Sequence, residues 1–331
     1  MSEPISASDF DTDQEVRWCP SCGDYAVLAQ LKQVLASLDI PRERFVFVSG
    51  IGCASRLPYY LNTYGFHTLP GRAAAVATGL KSARPDLSVW VITGDGDGCG
   101  HGLNHLLHAV RRNVDIKILL FNNEVHGLSK GQFSPTSRLG TRTRTSPNGS
   151  TERPLRPAEL VLAAGATFVA RTIDVDGEHL SATLRRAAGH RGTAFVEILQ
   201  NCKIFNDGVF EYATDKATKF DHVLYLEHEQ PLIFGKDRTK ALVFRDWQPT
   251  VVSWHPGETF PDLPRHDERS ARPTMAQVLA GMTAPDFPEC LGVFRCVEAP
   301  TFHAAPLWDP AGEARGVEEL FLVEDMWDVQ V

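Results

Sequence analysis

Gly94-Asp95-Gly96 and Asn122-Asn123 each close an apolar run of the chain. A carboxylate, an amide oxygen and nearby backbone carbonyls suit a hard divalent cation such as Mg2+, which keeps positions open for phosphate oxygens. Glycines on both sides of Asp95 let backbone approach a diphosphate closely. Four cysteines offer a second chemistry. Cys19 and Cys22 form a C-x-x-C pair, Cys53 follows a glycine-rich turn, and Cys202 follows a late apolar run. Four thiolates ligate either a [4Fe-4S] cluster or a structural zinc ion. One pair plus two singles departs from the two compact pairs usual for zinc.

The segments that must position these groups read as strands and helices in alternation. Residues 87–93 and 116–121 are apolar runs of buried-strand type. Between them Leu103, Leu106, Leu107 and Val110 recur at helical spacing. Parallel strands joined by a right-handed crossover often adjoin, so Asp95 and Asn123 are expected at one carboxyl edge, where open α/β sheets bind ligands. Residues 45–48 read as an earlier strand leading into Ser49-Gly50-Ile51-Gly52-Cys53. Residues 167–171 and 193–199 read as later strands, the last leading into Gln200-Asn201-Cys202. Helices are expected over 25–39, 72–83, 157–164 and 177–188. The alternation from 45 to 199 gives an α/β fold with a doubly wound, mostly parallel sheet. In such a sheet Cys53 and Cys202 share the edge of Asp95 and Asn123, although the sequence does not say which strands adjoin.

Three divisions are expected: a flexible N-terminal arm over 1–17, a main domain over 18–208, and a C-terminal extension over 209–331, richer in proline and weakly periodic. Residues 59–70 read as irregular and aromatic. The Ser-, Thr-, Pro- and Arg-rich stretch 132–156 is long enough for a lid or a partner-binding loop. Its arginines, Arg138, Arg142 and Arg144, are either solvated or phosphate-binding. At 331 residues and 43% hydrophobic content the chain is globular, and a net charge of −8 argues against nucleic acid as a partner. No apolar stretch is long enough to span a membrane, and the acidic N-terminus matches no secretory signal. The expected location is cytoplasmic, where cysteines serve metal or catalysis rather than disulfides. Cys99, Cys290 and Cys296 read as core or surface residues. His101, His105 and His108 fall on the helical segment after Asp95, where a metal site is disfavoured.

Gly94-Asp95-Gly96 with the spaced Asn122-Asn123 resembles the signature of thiamine diphosphate enzymes. The resemblance implies that Asp95, Asn123 and the main chain of Val125 hold the metal, with Gly94 and Gly96 beside the cofactor. A larger set is more specific: Trp18-Cys19-Pro20-Ser21-Cys22-Gly23, Gly50-Ile51-Gly52-Cys53, Gly94-Asp95-Gly96-Asp97, Asn122-Asn123, Gly127 through Ser137, and Gln200-Asn201-Cys202. Together these resemble the beta subunits of 2-oxoacid:ferredoxin oxidoreductases, closest to the 2-oxoglutarate type, over roughly residues 15–230. The resemblance implies the diphosphate-binding half of a thiamine enzyme, with thiamine diphosphate, Mg2+ and one [4Fe-4S] cluster on Cys19, Cys22, Cys53 and Cys202. It implies an alpha subunit carrying the other half, in a heterodimer doubled to a heterotetramer. It also implies the reaction in which 2-oxoglutarate, coenzyme A and oxidised ferredoxin give succinyl-CoA, CO2 and reduced ferredoxin. Arg56 and Lys130 fall where that family presents basic residues to substrate carboxylates, with Leu128 beside them. No catalytic acid or base is assigned in this chain. Three segments depart from the family pattern: Pro70 before Gly71-Arg72, His126 in place of tyrosine, and Gly98-Cys99-Gly100-His101. The alternatives are the same chemistry on pyruvate or another 2-oxoacid, a non-redox thiamine enzyme with structural zinc, and an electron-transfer or scaffold subunit. Intact Asp95 and Asn123 argue against the last.

Overall fold

The structure is a computed structural model that describes residues 5–302, apart from 247, 256, 259, 261 and 262. Eight strands form one sheet. In chain order they are β1 (Phe45–Ser49), β2 (Tyr64–His67), β3 (Ser88–Gly94), β4 (Lys117–Asn122), β5 (Phe168–Ile173), β6 (Ala194–Leu199), β7 (Val223–Leu226) and, after a three-stranded antiparallel sheet, β11 (Glu289–Cys296). The small sheet is β8 (Ile233–Phe234), β9 (Lys240–Arg245) and β10 (Gln248–Ser253). The large sheet runs β2-β1-β3-β4-β6-β5-β11-β7, and its pairs are parallel except β5–β11.

The expected doubly wound α/β sheet is therefore present, for a reason visible in the strands. Neighbouring residues point to opposite faces, and here both sets are apolar. Phe45, Phe47, Trp90, Ile92, Leu119 and Phe121 pack in one layer with α1 (Asp24–Ser37) and α5 (Gly177–Gly189). Val46, Val48, Val89, Val91, Ile118 and Leu120 face the other, with α2 (Ala73–Ala83), α3 (Leu103–Arg111), α4 (Pro157–Ala163) and the helix Thr274–Ala280. A sheet covered on both faces reads as continuous apolar runs, which is what these strands show.

Two segments have more structure than their periodicity implied. Within 59–70, β2 pairs with β1 at the sheet edge, and its four residues are all exposed, so no burial pattern marks it. Past residue 208, β7 and β11 extend the large sheet itself rather than lying over it. β11 hides in the sequence because it opens on a charged residue, Glu289, contains Gly292 at φ 128°, and carries a register shift between Val293 and Arg295. Residues 303–331 of the expected extension lie outside the described residues. The N-terminal arm, expected to be flexible, is instead anchored: Phe10 is fully buried in the layer of α1, and Asp11 pairs with Lys32 at 2.7 Å.

Candidate active site

Strand order brings the functional groups together. β1, β3, β4, β6 and β5 lie side by side and parallel, so their carboxyl ends share one edge. Gly94 sits opposite Phe121, and Asn122 opposite Leu199. Asp95, Asn123 and Gln200 thus leave adjacent strands at one level. A cleft of about 210 Å³ opens there, lined by Gly52 and Cys53 after β1, Asp95 and Asp97 after β3, and Asn123, Val125 and Leu128 after β4, with Pro70 and His101 at its walls.

Asp95 is 2% exposed. Its Oδ2 accepts from Ser134 Oγ at 2.5 Å and from Thr136 Oγ1 at 2.6 Å. Burial pushes its pKa up, opposed by these hydroxyls and by His126. A buried carboxylate met by hydroxyls rather than by lysine or arginine suits completion by a bound cation. Asp97, also buried, accepts from Gly71 N at 2.6 Å, Ile51 N at 3.1 Å and Thr93 Oγ1 at 2.6 Å. It ties the turn after β1 and the Pro70-Gly71 turn to the end of β3, so it shapes the cleft. The His126 ring packs against Gly96, where a Cβ would lie 2.2 Å from it. Glycine at 96 is therefore a packing requirement of His126 as well as an opening to the cleft. Burial pushes His126 down from the ordinary histidine range.

On the amide side, Asn123 Oδ1 accepts from Val125 N at 3.2 Å and Asn123 Nδ2 donates to Gln200 Oε1 at 2.8 Å. The four cysteines gather on this side too. Trp18 Nε1 donates to Cys53 O at 2.7 Å, which pins the C-x-x-C segment to the exit of β1. Cys19, Cys22 and Cys202 each lie close enough to Cys53 for their charges to interact. A Cβ on Gly127 would stand 3.5 Å from Cys53 Sγ and 3.6 Å from Cys202 Sγ, so both thiols border one glycine. Asp174, after β5, accepts from Asn201 N at 3.0 Å and braces the turn into Cys202. Burial pushes Cys53 up to about 12 and Cys22 higher still. Among the described residues no group of three or more His, Cys, Asp or Glu is drawn tightly enough around one point to hold a single metal ion. All seven cysteines are free.

Three features of the site carried no clear sequence signal. The first is the return of Ser134 and Thr136 to Asp95 from a stretch expected to be a lid; this part is buried, whereas Arg138, Leu139 and Gly140 beyond it are exposed. Arg138 finds a partner in Glu124 at 3.0 Å and lies over the Tyr212 ring, while Arg142 and Arg144 stay exposed. Burial pushes Glu124 up to about 7 against the pull of Arg138. The second is a buried ion triad: Arg171 pairs with Glu197 at 2.9 Å and Glu289 at 2.5 Å, Asn122 Nδ2 donates to Glu197 at 2.8 Å, and Tyr212 Oη donates to Glu289 at 3.0 Å. It stands directly behind the exit of β4. The third is Asp24, fully buried beside Cys22, with Oδ1 lacking any hydrogen-bond partner and its pKa pushed up to about 7 by burial.

The three residues expected to meet substrate are placed differently from one another. Leu128 lines the cleft. Arg56 lies on the turn of helix Ala54–Tyr60 and donates to Arg17 O at 2.8 Å on the cysteine side. Lys130 is exposed, with φ 81°, two residues beyond Leu128. Of the three histidines after Asp95, His101 reaches the cleft, its ring 6.1 Å from that of His126, while His105 and His108 ride on α3.

Residues 50–198 match the thiamine pyrophosphate enzyme family, C-terminal TPP-binding domain. The chain is 45% identical to the 2-oxoglutarate oxidoreductase subunit KorB of Mycobacterium tuberculosis, over 99% of this chain and 89% of that one. It belongs to the beta subunits of the 2-oxoacid:ferredoxin oxidoreductases. A second relative, the 2-oxoacid:ferredoxin oxidoreductase 1 subunit beta of Aeropyrum pernix, is 43% identical over 65% of this beta subunit and 68% of its own length. Among solved structures, the 2-oxoglutarate:ferredoxin oxidoreductase from Magnetococcus marinus, with 2-oxoglutarate, coenzyme A and succinyl-CoA bound, superposes with a TM-score of 0.73. It is 32% identical, covering 91% of this beta subunit and 88% of that chain. The matched domain runs from the turn after β1 almost to the end of β6. It contains Asp95, Asn123 and Cys53, while Cys19, Cys22 and Cys202 flank it in sequence.

Proposed function

We propose that this beta subunit carries thiamine diphosphate and Mg2+ at Asp95, Asn123 and the Val125 carbonyl, and one [4Fe-4S] cluster on Cys19, Cys22, Cys53 and Cys202. With an alpha subunit it would convert 2-oxoglutarate and coenzyme A to succinyl-CoA and CO2 in the cytoplasm, passing electrons to ferredoxin. The observation that carries the reading is one cleft lined by Asp95, Asn123 and Cys53 together. A cofactor in that cleft would lie beside an electron sink. The donor sets suit these groups: hard oxygens at Asp95 and Asn123, soft sulfur at the cysteines. Four cysteines set as one C-x-x-C pair and two singles, with Cys19, Cys22 and Cys202 each near Cys53, suit a [4Fe-4S] cluster better than a structural zinc ion.

Bound thiamine diphosphate supplies the carbanion chemistry of decarboxylation. The protein's own residues bind and orient. Ser134 and Thr136 hold the Asp95 carboxylate, Asp97 fixes the Gly71 turn, and Leu128 and Pro70 would give a cofactor bound in the cleft apolar contact. Leu128, Lys130 and Arg56 are the substrate-side residues of this reading. The docking surface for the alpha subunit would include edge strand β2, where Tyr64 and Phe66 are exposed, with Tyr59 and Leu69 nearby in the chain.

The test is to purify the alpha and beta subunits together without oxygen and to analyse iron, sulfide, thiamine diphosphate and magnesium. The expected result is a brown complex that reduces ferredoxin when given both 2-oxoglutarate and coenzyme A, with the beta subunit alone inactive. A colourless complex containing zinc, or full activity from the beta subunit alone, would overturn the reading.

A further inference from the structure

Gln200 closes the exit of β6 and is 1% exposed. Its side chain reaches both halves of the site. Nε2 donates to Asn201 O at 2.7 Å and to Cys22 Sγ at 3.3 Å, and Oε1 accepts from Asn123 Nδ2 at 2.8 Å. A backbone carbonyl can only accept, so the Asn201 contact fixes which end of the Gln200 amide is nitrogen. The oxygen of Gln200 then faces Asn123, and Asn123 must present its own nitrogen there. Asn123 Oδ1 is left on the opposite side, beside Val125 N. Each amide orientation thus follows from the one before it, starting at a main-chain oxygen.

This matters because the two ends of an asparagine amide are not equivalent to a cation. The oxygen has lone pairs to offer, and the NH2 group has none. A free asparagine can turn either end inward; one whose nitrogen is already engaged cannot. The second hydrogen of Gln200 Nε2 meets sulfur, and a hydrogen bond to a cluster thiolate favours the more negatively charged, reduced state and so raises the reduction potential.

Resting on the functional reading above, we infer that Gln200 is a positioning residue that joins the two centres: it holds Asn123 with its amide oxygen toward the metal position, and it donates an N–H···S hydrogen bond to the cluster ligand Cys22. One side chain thereby sets the geometry of the electron donor site and the potential of its acceptor. A role confined to filling space would alter stability and leave the potential where it was.

The experiment compares the assembled alpha–beta complex with its Gln200→Met and Gln200→Glu variants. Methionine keeps the length and loses both hydrogen-bonding ends; glutamate keeps an acceptor for Asn123 and loses the N–H donor. Two quantities are read: the cluster midpoint potential, by redox titration followed by electron paramagnetic resonance, and the dissociation constant of Mg2+–thiamine diphosphate, by calorimetry. Both variants should shift to a more negative potential. Gln200→Met should also bind the cofactor about tenfold more weakly, the usual scale for losing a residue that orients a metal ligand, and Gln200→Glu should bind it nearly as wild type does. If Gln200→Met fails to retain its cluster, the potential of Gln200→Glu decides. An unchanged or raised potential in Gln200→Glu overturns the inference while leaving the functional reading intact. A wild-type complex with no cluster at all overturns both.

Discussion

Thr136 Oγ1 lies 2.6 Å from Asp95 Oδ2, although 41 residues separate the two in sequence. The same oxygen is 3.0 Å from Asn122 Oδ1, and its single hydrogen goes to the carboxylate, the stronger acceptor. A stretch without helix or strand therefore folds back to orient Asp95, an acidic side chain of the cleft.

On the proposed reading, Thr136→Val should weaken Mg2+–thiamine diphosphate binding by roughly tenfold, because the isosteric methyl cannot hold Asp95. Asp95→Ala should abolish binding. Calorimetry on the assembled complex measures both. Wild-type affinity in the valine variant would show that Ser134 suffices, and normal affinity in Asp95→Ala would place the metal elsewhere.

Cys202→Ser should lose or degrade the cluster, because a serine oxygen is a poor substitute for thiolate. Cys202 reaches the other cysteines through the turn after β6, which Asp174 braces from β5 and Asn206 ties to the Asn123 carbonyl at 2.9 Å. Iron content and the visible spectrum report the outcome. Wild-type values would make Cys202 an ordinary packed thiol.

Arg171→Met should destabilise the fold by about 3–5 kcal/mol at neutral pH, since it strands Glu197 and Glu289 without a buried cation. Burial already pushes Glu289 up. Without Arg171 its folded-state pKa rises further above the unfolded one, so the folded protein holds more protons. Stability relative to wild type is then best at acidic pH and falls as pH rises through that folded pKa. Urea unfolding at pH 5.5 and pH 8 tests the sign; a deficit independent of pH would mean that packing, not charge, is what Arg171 supplies.

Lys130→Ala and Arg56→Ala should raise KM for 2-oxoglutarate far more than for pyruvate. Removing a cation that meets the distal carboxylate leaves a substrate without that group little affected. Lys130 is the exposed cation nearest in sequence to Leu128 on the cleft wall, whereas Arg56 is turned to the Arg17 carbonyl. The measurement is kcat/KM on both acids in each complex. Equal losses would assign the residue to the shared carboxylate or to the cofactor.

The sequence by itself determined the alternation of strands and helices from 45 to 199, because strands buried on both faces leave continuous apolar runs and helices leave a periodic stripe. It also determined that Asp95, Asn123, Cys53 and Cys202 follow strand ends, and the motifs around them pointed to the family. It could not order the strands. The sequence β1-β3-β4-β6, which sets Asp95, Asn123 and Gln200 side by side, depends on pairings between distant segments that leave no periodic trace. The same holds for β7 and β11, for the hydroxyls of Ser134 and Thr136, and for the triad of Arg171, Glu197 and Glu289. Each joins residues far apart in the chain, and partners of that kind are chosen by tertiary packing rather than by local spacing.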